Sequence, residues 1–226
     1  MAKIEIETLA STAAERFPVS SVYTLPGRET LALNKADWEI DPRRCALLVH
    51  DMQNFWVDRF EDPSLFIERI SSLIGSARTN GIPVIYSVAK PARCDAERGV
   101  ALDLWGPGIQ QGDDAAAIGA EIIEPLALSP QDFILDKPKY SAFFDTEFEA
   151  ILRRTGRSQL IITGVYANHG CLATALDGFM RSFQVFFAAD ATADYSRSAH
   201  IKAIEYVAET SGVITTYEDV VAGFER

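Results

Sequence analysis

The sequence predicts an α/β fold in which a mainly parallel, six-stranded sheet is doubly wound with helices on both faces, a Rossmann-like three-layer sandwich. Six short runs rich in Val, Ile and Leu recur along the chain, and most are continuous rather than alternating, as expected of strands covered on both faces. Amphipathic stretches separate these runs, and one of them places Phe66, Ile70 and Leu73 at helical spacing. A chain of 226 residues is long enough to bury one full core.

The predicted strands occur in a regular order along the chain: Cys45–His50, Ile82–Val88, Asp132–Leu135, Gln159–Gly164, Gln184–Ala189 and Gly212–Thr216. The predicted helices lie between them: Pro63–Thr79, Ala115–Leu126, Thr146–Thr155, Gly170–Ser182 and Ser196–Thr210. Right-handed crossovers between parallel strands then place a ligand site at the carboxyl ends of the strands, near the point where the strand order reverses.

The first 40 residues include Pro18, Pro26 and Gly27, and we expect residues 1–40 to form an irregular arm packed on a single domain that spans residues 41–226. The amino terminus lacks the basic segment and hydrophobic block of a secretory signal. No uninterrupted apolar run approaches the roughly 20 residues of a membrane span. We therefore expect a cytoplasmic protein with no membrane partner.

The net charge argues against a nucleic-acid partner, and the positions of the cysteines and histidines argue against a metal site. The formal net charge of −11 would repel the phosphate backbone of a nucleic acid. Cysteines are odd in number and far apart, which indicates reduced thiols rather than a disulfide framework or a zinc site. No glycine loop has the strand-to-helix context of a phosphate site, so we predict neither a metal nor a nucleotide cofactor. The scattered residues are Cys45, Cys94, Cys171, His50, His169 and His200.

Polar residues follow three of the predicted strands. Asp51 follows the first strand (LLVHD), Lys137 the third (FILDK), and the stretch Gly164–Cys171 the fourth. Because the carboxyl ends of neighbouring parallel strands meet at one edge of a sheet, we expect these residues to converge on one pocket. Cys171 lies where a strand gives way to a helix, so it is a candidate nucleophile.

Five blocks of sequence carry a family resemblance. In chain order they are WEIDPRRCALLVHDMQNFW at 38–56, LDLWGPGI at 102–109, KYSAFF at 139–144, GVYANHG at 164–170 and AADATADYS at 188–196. Together they resemble the isochorismatase-like hydrolases, and among these the isochorismatases proper of siderophore and phenazine biosynthesis. The resemblance implies a small chorismate-derived substrate and a reaction without a cofactor.

In many members of that wider superfamily, an Asp, a Lys and a Cys form the catalytic set. Matching the blocks assigns the first two roles to Asp51 and Lys137, whereas the position of the nucleophile is Gly170 and Cys171 comes one residue later. The isochorismatases proper resemble this chain in lacking a nucleophile there. One residue along a helix turns a side chain by about 100°, so we expect Cys171 to point away from the pocket as a buried structural thiol.

The same matching implies further substrate-binding residues. Arg98 would pair with a substrate carboxylate, because guanidinium binds carboxylate with two hydrogen bonds. Trp105, Tyr166 and Phe55 would form aromatic walls, and Gly170 would leave room for the substrate and let an amide approach an anionic group. Alternatively, the arginine is a solvated charge and the aromatic residues are ordinary core. The resemblance also implies a cis peptide immediately before the tyrosine.

Two departures from the family affect specificity. Family members commonly have a substrate-contacting Gln where YSVAKP places Ala89, with Lys90 beside it. They commonly read GVYAH where this chain has Asn168 followed by His169. Both isochorismate and 2-amino-2-deoxyisochorismate therefore remain open as substrates.

The resulting hypothesis is hydrolysis of an enolpyruvyl vinyl ether, with Asp51 as general acid and Lys137 orienting it. One alternative is a cysteine-dependent amidohydrolase that uses Cys171 in a shifted register, and another is a catalytically idle binding or scaffold protein. Some members of the family are fused to a carrier domain, and since this chain ends at Arg226 we expect any carrier to be a separate partner. The apolar stretch Phe179–Phe187 predicts a homodimer.

Overall fold

The computed structural model describes residues 17–112 and 114–226. Within these residues the strands are β1 (Cys45–His50), β2 (Val84–Ala89), β3 (Phe133–Lys137), β4 (Gln159–Val165), β5 (Gln184–Ala193) and β6 (Val213–Thr215). They form one sheet in the order β3-β2-β1-β4-β5-β6, and every neighbouring pair is parallel. The chain winds outward from β1 to β3, returns to the centre at β4 and winds outward again to β6. The predicted doubly wound fold is confirmed, and the strand order reverses between β1 and β4.

The central strand β1 shows why a continuous apolar run predicts this sheet. All its residues are buried. Since alternate side chains of a strand point to opposite faces, Leu47 and Val49 join the core on one face, while Ala46 and Leu48 join the core on the other. A strand with one face in water would carry polar residues at every second position, and β1 carries none before His50.

The helices form the two outer layers. In chain order they are α1 (Asn54–Val57), α2 (Ser64–Thr79), α3 (Asp95–Arg98), α4 (Ala101–Trp105), α5 (Asp114–Ala120), α6 (Phe148–Arg154), α7 (Leu172–Met180), α8 (Arg197–Thr210) and α9 (Tyr217–Phe224). Helices α2 and α9 fill the core on one face, for example with Leu73 and Phe224. Helices α6, α7 and α8 fill the other core with Leu152, Ala175 and Ile204. Within the described part of the chain, no helix combines the length and apolar character needed to cross a bilayer.

The predicted helix Ala115–Leu126 is wrong in its second half. Helix α5 ends at Ala120, and a separate 3-10 turn covers Glu124–Leu126. Pro125 lacks an amide hydrogen and its ring clashes with the preceding turn of an α-helix. The proline therefore prevents an α-helix from running through to Leu126. After α5 the backbone bonds instead to the loop after β1, where the Asn54 amide donates to the Glu121 carbonyl (2.9 Å) and the Ile123 amide donates to the Met52 carbonyl (3.0 Å).

Strand β5 is longer than the predicted Gln184–Ala189 and runs on to Ala193. The sequence run appeared to end at Asp190, a charged residue. In the structure this carboxylate accepts a hydrogen bond from the Tyr217 amide (2.7 Å) and forms an ion pair with Arg69 (3.2 Å). A paired carboxylate can lie in a buried strand, so the charge did not mark the strand end.

Residues 1–16 of the predicted arm lie outside the described residues. In the part that is described, the Ser20 hydroxyl donates to the Asp194 carbonyl (3.0 Å). Asn34 donates to the Ile214 carbonyl (2.9 Å) and accepts from its amide (2.6 Å). These bonds join the segment to β6 and to the residue that follows β5. The division of the chain at residue 40 stays a prediction.

The predicted apolar surface Phe179–Phe187 is only partly a surface. Phe179 and Met180 at the end of α7 are exposed, whereas Phe183 and Phe187 are buried. The second half of the stretch enters β5 in the interior of the sheet. Within Phe179–Phe187, the exposed large apolar side chains are those of Phe179 and Met180 at the end of α7.

Candidate active site

A cavity of about 220 Å³ opens at the carboxyl ends of the strands near the switch in strand order. Its lining includes Asp51 after β1, Ala89 at the end of β2, Lys137 at the end of β3 and Gly170 after β4. The strand ends thus converge on one pocket, as the sequence predicted. The remaining wall is mainly aromatic and basic.

Asp51 directly follows β1, and its φ of 50° lies in a region that Asp tolerates better than most residues. Its amide donates to the Ser87 carbonyl on β2 (2.8 Å). In its side chain, Oδ2 lies 2.7 Å from Lys137 Nζ and 3.4 Å from His50 Nδ1. Oδ1 is buried and has no hydrogen-bond partner among the described residues. The two oxygens of this carboxyl group therefore differ: Oδ2 contacts two basic side chains, and Oδ1 makes no hydrogen bond within the described chain.

Lys137 makes this a buried ion pair. Its side chain is 3% exposed, and Nζ also donates to the Lys139 carbonyl (3.1 Å). Burial is the largest influence on the Asp51 carboxyl and raises its pKa, because a low-dielectric site disfavours the charged form. The Lys137 ammonium and His50 together outweigh burial and leave the pKa of Asp51 below its usual value. Asp51 is therefore a carboxylate in the free protein at neutral pH.

Cys171 lies outside the cavity lining. It is completely buried in the core between the sheet and helices α7 and α8. Burial, with smaller contributions from Asp51 and Asp194, raises the pKa of its thiol well above the usual value. A buried, protonated thiol is a poor nucleophile. The geometry agrees with the expectation that residue 171 points away from the pocket when residue 170 faces it.

Gly170 has a second consequence that the sequence did not reveal. An ideal Cβ at this position would lie 2.1 Å from His50 Cε1, which is far inside van der Waals contact. The space expected for bulky substrate is therefore occupied in part by the His50 ring. The start of α7 also differs from the predicted helix start at Gly170, because a π-helical turn at Ala167–Cys171 precedes Leu172.

His50 is a site residue that sequence reasoning treated only as one scattered histidine. It is completely buried. Its Nδ1 lies 3.2 Å from the Val165 carbonyl, and its Nε2 lies 3.2 Å from Thr174 Oγ1. The available signal was its position: a polar residue at the buried end of β1, next to Asp51.

Arg98 ends helix α3 and is half-buried in the cavity wall. Its Nε donates to the Gly106 carbonyl (3.3 Å), and a Cβ at Gly108 would lie 2.9 Å from its Cζ. The GPG turn therefore closes around the guanidinium. No carboxylate within residues 17–112 and 114–226 forms an ion pair with it. Burial lowers the pKa of Arg98, yet arginine stays charged, so the wall presents an unbalanced cation suited to an anion.

Trp105 ends α4 and forms an aromatic part of the lining. Its ring stacks on Phe17, with centroids 5.5 Å apart, and its Nε1 donates to the Tyr140 hydroxyl (2.5 Å). Phe17 belongs to the amino-terminal segment and was not predicted as a site residue. A lone aromatic residue outside the matching blocks gives no signal for such a role.

Tyr166 lines the cavity and stacks on Tyr195, with ring centroids 4.1 Å apart. Its hydroxyl donates to the Trp56 carbonyl (2.9 Å). The peptide between Val165 and Tyr166 is cis, as the family resemblance implied. The prediction that Phe55 forms a wall of the cavity is corrected to its neighbour, Trp56, which lines the cavity. Phe55 packs against Trp56, and the centroids of the two rings are 4.7 Å apart.

Both places where the sequence departs from the family pattern contribute residues to the cavity lining, namely Ala89 and His169. Ala89 contributes only a methyl group, since its amide donates to Gln53 Oε1 (2.7 Å) and its carbonyl accepts from Gln53 Nε2 (3.2 Å). Lys90 lines the same wall. His169 lies beside Trp105, with centroids 5.4 Å apart, and its Nδ1 is buried without a partner in the described chain. Burial lowers the pKa of His169, so the ring is neutral at pH 7.

A metal site was not expected from the sequence. Among the described residues, no group of three or more His, Cys, Asp or Glu side chains is placed to hold a metal ion. The charged side chains that line the cavity are those of Asp51, Lys90, Arg98, Lys137 and Lys139.

The chain is similar to a well-defined set of known proteins. A family model described as the isochorismatase domain matches residues 45–219. Enterobactin synthase component B of Escherichia coli is 37% identical over 207 residues, which cover 90% of this chain and 71% of that protein. Phenazine biosynthesis protein PhzD of Pseudomonas fluorescens is 37% identical over 201 residues, covering 88% of this chain and 95% of that protein. A solved cysteine hydrolase from Pseudomonas syringae pv. phaseolicola superposes with a TM-score of 0.76 at 27% identity, covering 84% of this chain and 96% of that one.

Proposed function

The chain belongs to the isochorismatase family and is an isochorismatase-type hydrolase, and we propose that it uses Asp51 as a general acid without a cysteine nucleophile. The substrate is isochorismate or 2-amino-2-deoxyisochorismate, and the bond cleaved is the enolpyruvyl vinyl ether. The products are pyruvate and a dihydro-hydroxybenzoate or dihydro-hydroxyanthranilate type compound. The names of the relatives place such a reaction in siderophore or phenazine biosynthesis.

The observation that carries this proposal is the asymmetry of the Asp51 carboxyl. Oδ2 is held by Lys137 and His50, while Oδ1 is buried without a partner in the described chain. A buried oxygen without a partner costs free energy unless a ligand or a proton uses it. A general acid needs one oxygen held in place and the other free to carry a proton. Asp51 lines the cavity, and its Oδ1 makes no competing hydrogen bond within the described chain.

The reaction needs an acid and a water molecule. Asp51 Oδ1 donates a proton to the methylene carbon of the enolpyruvyl group, and the adjacent carbon becomes an oxocarbenium ion. Water adds to that carbon and returns a proton to the Asp51 carboxylate, which gives a hemiketal. The hemiketal then collapses: its hydroxyl becomes the carbonyl of pyruvate, the bond to the ring oxygen breaks, and the hydroxyl proton passes to the ring oxygen, which leaves as the alcohol. Lys137 orients Asp51 and stabilises the negative charge that develops on the departing oxygen.

The proton on Asp51 must arrive with the substrate, because the lowered pKa makes it a carboxylate in the free protein. Binding brings the substrate carboxylates close and displaces water. Both effects disfavour the charged form of Asp51 and raise its pKa. Proton uptake on binding therefore prepares the acid.

Arg98 supplies the counter-ion for a substrate carboxylate, since its guanidinium lies in the lining without an ion-pair partner in the described chain. Trp105 and Tyr166 pack against the ring. The ring substituent then meets a wall that contains Ala89, Lys90 and His169. This wall has cationic and neutral imidazole groups in place of an amide side chain, so it governs the choice between a hydroxyl and an amine.

A cysteine-dependent amidohydrolase is the alternative that the named structural neighbour brings forward. It would require Cys171 to reach the substrate. The thiol is completely buried and its pKa is raised, so the geometry favours the acid mechanism. A catalytically idle scaffold is the other alternative, and it gives no account of an unpartnered acid oxygen beside a buried lysine.

The direct test is pyruvate release from isochorismate and from 2-amino-2-deoxyisochorismate, measured at equal enzyme concentration with a coupled lactate dehydrogenase assay. We expect turnover of at least one substrate, with turnover of the same substrate lowered by about 10² or more in Asp51→Asn. Release of ammonia from simple amides without pyruvate release would support the amidohydrolase. Absence of both products would support the scaffold.

A homodimer is part of the proposal, supported by the exposed Phe179 and Met180 at the end of α7. Light scattering at micromolar concentration should give about twice the monomer mass of 24.9 kDa. A mass near that of one chain would contradict it. A separate carrier protein is a further proposed partner, and co-purification with a phosphopantetheine-loaded carrier would test it.

A further inference from the structure

The space beside Gly170 and the position of Asp51 are linked through one side chain. Gly170 has no Cβ, and an ideal Cβ there would lie 2.1 Å from His50 Cε1 and 2.9 Å from His50 Nε2. On the other side, His50 Nδ1 lies 3.4 Å from Asp51 Oδ2. The imidazole therefore fills the place of a side chain at residue 170 and contacts the proposed acid.

The hydrogen bonds of His50 define its tautomer. Nδ1 faces the Val165 carbonyl (3.2 Å) and the Asp51 carboxylate (3.4 Å), and both of these groups only accept. Nδ1 must therefore carry the hydrogen. In the neutral ring Nε2 accepts from the Thr174 hydroxyl (3.2 Å), whose oxygen in turn accepts from the Ala142 amide (2.9 Å). These hydrogen bonds run in one direction, from the Ala142 amide through Thr174 and His50 to the Val165 carbonyl and the Asp51 carboxylate.

We propose that His50 is a positioning residue for Asp51, and that Gly170 is required because the His50 ring occupies the space beside it. Together with Lys137, the Nδ1–H of His50 fixes Oδ2 and so leaves Oδ1 available. A nucleophile could not be introduced at residue 170 without displacing the imidazole, which would release the acid. The catalytic part of this inference rests on the proposed function, whereas the steric part does not.

Asparagine at residue 50 separates the two roles. The amide nitrogen of Asn stands where His Nδ1 stands, so His50→Asn keeps the donor toward Asp51 and Val165 but removes Cε1 and Nε2. His50→Ala removes both the donor and the bulk. Gly170→Ala introduces the clash, and Gly75→Ala on α2 is the matched control, since no atom lies within 4 Å of a Cβ placed there.

Thermal unfolding tests the steric role. We expect Gly170→Ala to lower the melting temperature by about 5 °C or more, and Gly75→Ala to leave it unchanged or slightly raised. In the His50→Asn background the same Gly170→Ala change should cost at most half as much. Equal losses in both backgrounds would show that His50 and residue 170 do not compete for space.

Steady-state kinetics test the positioning role. We expect His50→Ala to lower kcat by about 10- to 100-fold with KM within about threefold, and His50→Asn to stay within about fivefold of the wild type in both. A merely structural residue would not distinguish these two variants in kcat once both are shown to be folded. Normal kcat in folded His50→Ala overturns the positioning role and leaves the Asp51 mechanism standing. Normal kcat in Asp51→Asn overturns the proposed function and leaves the stability comparison valid.

Discussion

The cavity has two unlike walls. The strand-end wall carries Asp51, which follows β1, and Lys137, which ends β3. Strand β1 is bonded to β2 and β4, whereas β3 is an edge strand bonded to β2. The loop wall carries Phe17, Arg98 and Trp105, which come from the amino-terminal segment and the two short helices α3 and α4. The strand-end wall is buried and charge-paired, while the loop wall is partly exposed and has a cation without an ion-pair partner in the described chain.

This difference indicates that the strand-end wall serves the chemical step and that the loop wall serves substrate binding. Helices α3 and α4 contain no buried residue, and Val100 and Leu104 are 76% and 68% exposed. Segments with so few buried contacts open locally at low free energy, which suits the entry of substrate. The strand ends cannot move without breaking the sheet, which suits an acid that must be placed within a fraction of an ångström. Changes in the strand-end wall should therefore lower kcat, and changes in the loop wall should raise KM.

The largest effect should come from Asp51→Asn. The amide keeps the size and most hydrogen bonds of the side chain but cannot donate the proton to the methylene carbon, so kcat should fall by about 10² to 10⁴ with KM little changed. In deuterated water the wild type should be slower, and one deuteron should appear in the methyl group of pyruvate.

The matched control for that variant is Asp136→Asn, an exposed carboxylate on β3 next to Lys137. It should leave kcat and KM within about twofold, as exposed charges have small effects. Near-normal turnover of Asp51→Asn would show that Asp51 is not the acid. The two alternatives, a catalytically idle scaffold and an amidohydrolase that uses Cys171, would then have to be considered again.

A second test of the strand-end wall is the pH dependence of kcat/KM. The acid must be protonated, and the pKa of Asp51 in the free protein is lowered. Above that pKa, the protonated fraction falls tenfold for each pH unit, so kcat/KM should fall with rising pH through the neutral range, by about 10² over two units. The groups in contact with this carboxyl are Lys137 and His50. A flat profile from pH 6 to 8 would show that Asp51 is not the titrating acid.

The loop wall is tested by Arg98→Lys. Lysine keeps the positive charge but loses the two-pronged geometry that binds a carboxylate, so KM should rise by about 10-fold with kcat within about threefold. Arg93→Lys in the same loop is the control, because Arg93 pairs with Glu97 on the surface rather than with the cavity. A fall in kcat larger than the rise in KM would contradict the claim that the loop wall serves binding rather than chemistry.

The sequence predicted the strand-end wall well for a physical reason. A strand covered on both faces must be a continuous apolar run, so the polar residue that follows it is conspicuous, as Asp51 is after β1. The role of His50 could not be predicted, because it depends on the distance from His50, at the end of β1, to Gly170, which follows the neighbouring strand β4. Nothing in the residue order alone gives that distance.

The loop wall was predicted less well, also for a physical reason. Helices α3 and α4 are only four and five residues long and contain no fully buried residue, so they give no amphipathic pattern to detect. Arg98 and Trp105 were assigned only through the family resemblance. Phe17 carries no signal at all, and the shift from Phe55 to Trp56 reflects how a four-residue helix turns two adjacent aromatic rings in different directions.

The smallest effect should come from Cys171→Ala, which lies behind the strand-end wall rather than in it. The thiol is completely buried in the core beneath α7, and its removal leaves only a small cavity that costs about 1 kcal/mol, or about 2 to 4 °C in melting temperature. We expect kcat and KM to stay within a few-fold, as they should for Cys45→Ala, an equally buried thiol in the core on the other face. If the Cys171 variant instead lost activity by about 10³ while folded and the Cys45 variant did not, the thiol would have to reach the substrate. Since the π-helical turn at Ala167–Cys171 now directs Gly170 and not Cys171 to the cavity, that result would require the turn to shift by one residue on binding.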